Sequence, residues 1–351
     1  MSVWKSDALP WLENLSPSYF AMAMATGIVS IGCQLLGLRP VAIALFAVNI
    51  ATYVVLWVLD LWRVVRFPRH VLADLVSHRR GLGFLTIVAA TGVLGAEMVI
   101  LWHAFTIATI LLGFAGVLWV GLTYAIFAAL TIDREKPSLA EGISGTWLLA
   151  VVATQSIAVL TALLAAHWGQ SLQANFIALS MWLWGGMLYI WLISLIFYRY
   201  TFFTLEPDDL TPPYWINMGA MAISTLAGSL LVENGLHSSF LHPLRPFLEG
   251  FTVLYWATGT WWIPIIVILG VWRFGYRRLP FEYDPQYWSA VFPLGMYTVA
   301  TYRMIEALDL HFLDLVPKVF LGLALFAWLA TFLGLLWTLG RGLGNVGHPS
   351  D

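Results

Sequence analysis

The segment YWSAVFPLGMYTVATYR (residues 287–303) combines an apolar composition, suited to a membrane interior, with a proline and a glycine near its centre. Pro293 removes one backbone hydrogen-bond donor and crowds the carbonyl group four residues earlier, which predicts a kinked helix. Lipid cannot satisfy the backbone groups that a kink frees. We therefore expect this part of the helix to lie against protein or a wet cavity, with Phe292 re-aimed by the kink and Gly295 leaving space beside it.

The rest of the chain has the same apolar character. Hydrophobic residue types make up 60% of the 351 residues and charged types only 10%, whereas a soluble domain carries about a quarter charged residues. Apolar stretches of about 20 residues recur along the chain, and each is long enough to cross a hydrocarbon core. Backbone groups in lipid must be bonded internally, so spans of this length are helices. The sequence predicts an all-α polytopic membrane protein.

We predict ten spans in a single transmembrane channel or transporter domain that covers residues 1–351. Their approximate bounds are 18–37, 41–62, 82–101, 104–131, 143–166, 173–200, 213–234, 246–272, 286–308 and 315–339. The N-terminus lacks the basic start and cleavage site of a signal peptide, so we expect the first span to remain. The single cysteine, Cys33, excludes an intrachain disulfide.

Positive charges concentrate in the linkers that follow the even-numbered spans. The linker 63–81 alone holds Arg63, Arg66, Arg69, Arg79 and Arg80, and the two tails add Lys5 and Arg341 to the same side. Lysine and arginine in short loops mark the cytoplasmic side of a membrane protein. We therefore expect a multi-pass protein of the inner cell membrane with both termini in the cytoplasm.

A sequence pattern recurs in the odd-numbered spans, with a period of about one helical hairpin. Each has an aromatic residue near its start and a small or hydroxyl residue seven or eight positions later, as in FAMAMATGIVS from Phe20 and FLTIVAATGVLG from Phe84. The even spans are bulkier, which suits contact with lipid, whereas small residues let helix backbones approach closely. This pattern predicts five hairpins with the odd helices as an inner ring around a central pore. A solid bundle tightened by small residues is the equally weighted alternative.

Polar and small residues of the odd spans are the candidates for lining such a pore. The predicted lining residues are Phe20, Thr26, Gly27, Ser30, Phe84, Thr91, Gly92, Thr154, Gln155, Asn217, Ser224, Ser289 and Thr298. Gln155 and Asn217 are the most telling, because an amide in hydrocarbon needs a partner or water. Hydrogen bonding between helices explains them equally well.

Charged residues within the spans are few and lie toward the outer side. Glu97, Glu233, Arg303 and Glu306 are candidates for an outer vestibule or coupling site, with snorkelling or a structural ion pair as the alternative. Arg303 and Glu306 stand three residues apart and can pair on one helix face. Since the middle of the membrane carries no charge, a conduit here is weakly polar. An aromatic ring such as Phe292 closes a passage of that kind by steric block and dewetting, although most phenylalanines in apolar helices only pack.

Motifs of enzymes and cofactor sites are missing. The sequence has no HExxH, GxSxG or Walker motif, and no histidine lies mid-span, where bis-histidine haem ligation would need one. We predict no enzyme activity, no catalytic residues, no cofactor, no metal site and no nucleic-acid partner. The alternative from another functional class is a membrane enzyme or a signalling subunit.

Five segments resemble the tellurite-resistance/C4-dicarboxylate transporter (TDT) family, which includes plant slow anion channels and fungal malate and sulfite permeases. They are PSYFAMAMATGIVS (17–30), GTWLLAVVATQSIAVL (145–160), INMGAMAISTLAGS (216–229), LYWATGTWWIP (254–264) and residues 287–303. The resemblance implies ten helices around a central pore, a homotrimer, and a pore-blocking phenylalanine in the ninth helix, which Phe292 matches. One departure is MAMATG, where many relatives have MVMGTG. Ala25 thus replaces a glycine, which leaves less space between the helices at this position.

The resulting hypothesis is an anion channel or transporter with a neutral central pore gated by Phe292, Pro293 and Gly295. Its cargo would be chloride, nitrate or C4-dicarboxylates, and tellurite resistance would follow from general anion passage. The alternative within transport is a proton-coupled carrier of C4-dicarboxylates such as malate, for which Glu97 and Glu306 are the only plausible proton sites.

Overall fold

The computed structural model describes residues 9–277 and 283–346, so Lys5 lies outside the described residues. Ten long helices dominate it, and the described residues contain no β-strand. We label them in chain order: α1 (Ala21–Leu35), α2 (Arg39–Arg66), α3 (Leu85–Trp102), α4 (Phe105–Ile132), α5 (Leu149–His167), α6 (Leu172–Phe202), α7 (Ile216–Asn234), α8 (Arg245–Val271), α9 (Trp288–Leu308) and α10 (Leu315–Val346). Short helical turns fill most of the linkers between them.

Tight turns join the two helices of a hairpin. Gly37 connects α1 to α2 with a φ of 83°, a left-handed conformation that glycine adopts without strain. His103 ends α3 with a φ of 52°, and Asp309 ends α9 with a φ of 57°. A left-handed residue reverses the chain direction after a helix, so these hairpins need only a few residues outside the membrane.

Nine helices in the described part of the chain are long and apolar enough to cross a membrane. They correspond to the predicted spans with the exception of the ninth. The helix α9 is 21 residues long, but Pro293, Gly295, Arg303 and Glu306 make its composition less apolar than that of the other long helices. The predicted all-α polytopic membrane fold is thus confirmed, whereas a count of ten membrane crossings stays a prediction.

The odd-numbered helices pack against one another in a closed cycle. The contacts run from α1 to α3, α5, α7 and α9, and then back to α1. Each even-numbered helix packs outside the odd helix of its own hairpin. In the first four odd spans 72% to 94% of the residues are buried, against 17% to 44% in the even spans. We therefore call the odd helices the inner helices and the even ones the outer helices.

Each inner helix begins with a short 3₁₀ turn. These turns are Pro17–Phe20, Gly81–Phe84, Gly145–Leu148, Pro212–Trp215 and Pro285–Tyr287. They also contact one another in a closed cycle, in the same order as the helices that follow them. All five inner helices therefore start at one end of the molecule, which we call the N-terminal face, and the opposite end is the C-terminal face.

Candidate functional site

A narrow cavity of about 20 Å³ lies between the five inner helices, toward the C-terminal face. We call it the central cavity. Every inner helix contributes to its wall: examples are Ile28 of α1, Val93 of α3, Val159 of α5, Leu226 of α7 and Val299 of α9. Most of the wall is aliphatic, so a solute inside meets few polar groups.

A second cavity of about 290 Å³ opens at the N-terminal face. We call it the N-terminal cavity. It is lined by residues at the starts of all five inner helices: Ser16 and Ser18, Arg79 and Arg80, Thr146 and Leu149, Pro213, and Gln286 and Ser289. About half of its wall is polar and it includes two arginines, in contrast to the aliphatic central cavity.

One face of α9 carries residues of both cavities. Ser289 lines the N-terminal cavity, while Met296, Val299 and Arg303 line the central cavity. Phe292 stands three residues after Ser289 and four before Met296, which is the spacing of side chains on one helix face. Its side chain is only 1% exposed. The Phe292 ring therefore lies on the α9 face that joins the two cavities, at the level between them.

The helix α5 shows the same arrangement of residues at the level of Phe292. Leu149 lines the N-terminal cavity and Ser156, two turns later, lines the central cavity. Val152 lies between them, three residues after Leu149 and four before Ser156, and is fully buried. By helix spacing, Phe292 and Val152 are thus buried apolar residues placed between residues of the two cavities.

Close helix contacts surround Phe292. The helix α9 continues without interruption from Trp288 to Leu308 with Pro293 inside it. A methyl group added at Gly219 of α7 would lie 2.8 Å from Cγ of Pro293, and one added at Gly295 would lie 2.9 Å from Cγ2 of Ile28. The glycines therefore let α9 approach α7 on one side and α1 on the other.

Three of the four threonines predicted to line a pore bond instead to outer helices. Trp328 of α10 donates its indole N–H to the Thr26 hydroxyl (3.0 Å), and Trp119 of α4 does so to the Thr154 hydroxyl (2.9 Å). The Thr91 hydroxyl lies 2.8 Å from the hydroxyl of Tyr53 on α2. These hydroxyl groups hold the inner helices to the outer ones, and the central cavity is not lined by them.

Most other predicted lining residues also have partners away from the two cavities. Gln155 donates to the Trp182 carbonyl (3.0 Å), Asn217 to the Tyr200 hydroxyl (3.4 Å), Ser30 to the Ala42 carbonyl (2.9 Å), Ser224 to the Ala220 carbonyl (2.7 Å) and Thr298 to the Leu294 carbonyl (3.0 Å). Phe20 packs edge-on against Tyr53 and Trp57, Phe84 borders a groove with Trp57, and Gly27 faces Asn49 and Glu97. Of the predicted set, Gly92 lines the central cavity and Ser289 the N-terminal cavity.

The four charged candidates divide into separate places. Glu97 is fully buried on α3 and accepts a hydrogen bond from the Asn49 side chain of α2. Arg303 lines the central cavity, and its guanidinium lies 3.7 Å from the Glu233 carboxylate of α7. The expected local pair of Arg303 with Glu306 is replaced by this pair between helices, because α7 and α9 pack together. Glu306 is exposed.

The aliphatic wall of the central cavity was not among the sequence-based candidates, which favoured hydroxyl and amide side chains. A signal for part of it exists in the sequence. Positions four, seven and eleven residues after Phe292 share its helix face, and these are Met296, Val299 and Arg303. No cluster of three or more His, Cys, Asp or Glu side chains suited to a metal ion occurs within residues 9–277 and 283–346.

Comparisons with known proteins agree with a transport function. The sequence model of a family described as voltage-dependent anion channel, SLAC1, matches residues 14–336. An uncharacterized transporter of Methanocaldococcus jannaschii is 24% identical, over 92% of this chain and 92% of its own length. Sulfite efflux pump SSU1 of Trichophyton rubrum is 23% identical, over 93% of this chain and 92% of its own. An uncharacterized membrane protein of Mycobacterium tuberculosis is 37% identical over 163 residues, which are 46% of this chain and 82% of that protein.

Proposed function

Because this chain belongs to the voltage-dependent anion channel family, SLAC1, we propose that it is a channel that passes small anions along the axis of its inner helices. Members of this family are channels and transporters rather than enzymes, so the activity is anion transport across a membrane. The finer proposal is that Phe292 is the gate of the passage, with Pro293 and Gly295 fixing its position.

The position of Phe292 between the two cavities is the observation that supports this proposal. An anion moving along α9 from Ser289 to Met296 has to pass the Phe292 ring. Val152 of α5 is a buried apolar residue at the corresponding position between the two cavities, and a constriction lined by apolar side chains excludes water as well as ions. With the Phe292 ring in this position the passage would conduct weakly, and displacement of the ring would open it.

The chemistry of the walls supports anions as cargo. Arg303 lines the central cavity and Arg79 and Arg80 line the N-terminal cavity, so positive charge lies on both sides of Phe292. The aliphatic wall between them offers no replacement for a hydration shell, which favours anions that lose water easily. Chloride and nitrate fit this wall, whereas C4-dicarboxylates, which carry two charges and bind water more strongly, fit it less well. The printed name of one relative, a sulfite efflux pump, adds sulfite as a further candidate. Resistance to tellurite would be a secondary consequence of such passage.

Proton-coupled carriage of C4-dicarboxylates such as malate is the second transport hypothesis, and the geometry supports it less. A coupled carrier needs a protonatable group in the path of its substrate. Glu97 lies on the side of α3 that faces Gly27 and Asn49, and it is not part of the central cavity wall. Glu306 is exposed beyond Arg303. We therefore favour passive conduction.

We also propose that the N-terminal face lies in the cytoplasm, with the protein in the inner cell membrane and both termini cytoplasmic. The arginine-rich linkers that follow the outer helices support this orientation. The proposed homotrimer rests on the family resemblance. Contact between subunits would fall on the outer helices, which carry many exposed large apolar side chains.

Recording chloride currents from the purified protein in lipid bilayers tests the gate. We expect the parent to conduct weakly and Phe292→Ala to conduct at least about tenfold more, because the substitution removes the ring that fills the constriction. Phe326→Ala is the matched control, since Phe326 lies on α10 with 74% of its surface exposed. Equal currents from the parent and Phe292→Ala would refute the gate assignment.

A further inference from the structure

The N-terminal cavity lies where the N-terminal ends of the five inner helices, which carry the positive ends of their dipoles, meet. Its wall contains residues in or just before the 3₁₀ turn that begins each inner helix, and these turns contact one another in a closed cycle. Each helix that follows, including its 3₁₀ turn, has at least 19 residues. The start of a helix carries partial positive charge, so five starts around one cavity favour a negative charge inside it. Side chains of Ser16, Ser144 and Asp284 already accept one N–H bond at three of these starts.

Ser289 provides a hydrogen-bond donor that nothing else uses. It is only 4% exposed and lines the N-terminal cavity. Within residues 9–277 and 283–346, no hydrogen-bond partner of its hydroxyl group is found. Other buried hydroxyls of the inner helices do have one: Thr26 donates to the Met22 carbonyl and Ser156 to the Ala153 carbonyl. Because Ser289 borders the N-terminal cavity and its hydroxyl bonds to no protein group in the described part of the chain, the partner of this hydroxyl is a molecule or ion inside the cavity.

Arginines supply the positive charge around the cavity. The Asp74 carboxylate bonds to both Arg63 and Arg80, so this group of three, in which Arg80 is partly exposed, keeps one positive charge. Arg79 lines the cavity as well, and no ion pair of Arg79 is found within the described residues. Glu13 and Glu141 lie beside these arginines, since their carbonyls accept hydrogen bonds from Arg63 and Arg79. Asp284 is a third acidic residue near the cavity. It borders an adjoining cavity, where its carboxylate accepts a hydrogen bond from the Gln286 N–H (2.8 Å).

We propose that the N-terminal cavity is a binding site for a small singly charged anion, which accepts a hydrogen bond from the Ser289 hydroxyl. The ligand class is a halide or a small monovalent oxyanion, because Asp284 and the single hydroxyl donor disfavour a second negative charge. Ser289 stands three residues before Phe292 on the same face of α9, so the bound anion lies about one helical turn from the proposed gate. This inference rests on the proposed channel function and adds a loading site to it.

Currents in a Phe292→Ala background measure the site during conduction. We expect Ser289→Ala to raise the half-saturating chloride concentration on the N-terminal face about tenfold, the effect of losing one hydrogen bond to an ion. Ser289→Thr keeps the hydroxyl and should change it much less. Ser194→Ala is the matched control, because Ser194 lies exposed on α6 and bonds to the Ile190 carbonyl of its own helix.

Bromide binding measures the site without conduction. Crystals of the parent soaked in bromide should show anomalous density beside Ser289, and crystals of Ser289→Ala should not. An unchanged half-saturating concentration in a conducting Phe292→Ala background would overturn the site and leave the channel function standing. If Phe292→Ala does not conduct, the channel proposal fails, and the bromide density alone decides: its presence supports the anion site and its absence refutes it.

Discussion

Glu97 is a buried carboxyl group whose neighbours make it structural. Its side chain contacts Asn49 of α2 and faces Gly27 of α1, so it joins three helices and leaves the wall of the central cavity to Val93 and Ala96. We expect Glu97→Gln to leave chloride conduction of the Phe292→Ala protein unchanged at acidic and at neutral pH, because an amide can still bond to Asn49. The measurement is the current in bilayers at both pH values.

Two other variants sharpen the test of Glu97. Glu97→Leu leaves the Asn49 amide without a buried partner and should lower the free energy of unfolding by about 1–3 kcal/mol. Glu306→Gln changes an exposed carboxyl group and serves as the comparison for pH dependence. Loss of a pH-dependent malate uptake in Glu97→Gln would contradict the passive channel and restore the proton-coupled carrier.

The outer helices are each bonded to the inner helix of the next hairpin. Tyr53 of α2 bonds to α3, Trp119 of α4 to α5, Trp182 of α6 to α7, Trp256 of α8 to α9, and Trp328 of α10 to α1. In four of the five bonds the group on the inner helix is a threonine hydroxyl, and in the fifth it is the Ser224 carbonyl. These bonds close the cycle of hairpins from the outside.

Trp328→Phe tests the contribution of one such bond. The substitution keeps an aromatic ring but removes the indole N–H that reaches Thr26, which lies 302 residues away in sequence. We expect the free energy of unfolding to fall by about 1 kcal/mol, seen as a lower melting temperature in detergent. Trp191→Phe is the control, because Trp191 is 48% exposed on the outer face of α6. An equal loss in both variants would mean that ring size, rather than the bond, is responsible.

The orientation of the whole molecule follows from its two faces. Cys33 is the single cysteine and is fully buried, so the parent should not react with a membrane-impermeant maleimide. We expect His311→Cys, in the turn between α9 and α10, to be labelled on intact cells. Glu135→Cys, exposed in the linker between α4 and α5, should be labelled only after the cells are opened. The reverse pattern would place the N-terminal face outside and contradict the proposed orientation.

The membrane class, the helix positions and the hairpin order could be read from the sequence because they depend on local properties. Apolar stretches such as 41–62 and 104–131 correspond to α2 and α4, since span length and composition alone fix a helix in lipid. The contrast between small and bulky spans also separated inner from outer helices. The almost completely buried α5 and the largely exposed α10 follow that contrast.

The sequence by itself determined that helices cross a membrane and which of them are slim enough to pack inside. Tertiary structure alone decided which face of each inner helix points to the axis. Lipid and the central cavity are both apolar, so hydrophobic periodicity does not distinguish the two directions. The hydroxyls of Thr26 and Thr154 therefore turn outward to tryptophans far away in sequence, while Ile28 and Val159 line the cavity. Partners such as Arg303 and Glu233 meet only once helix rotation has been set by packing across the whole cycle.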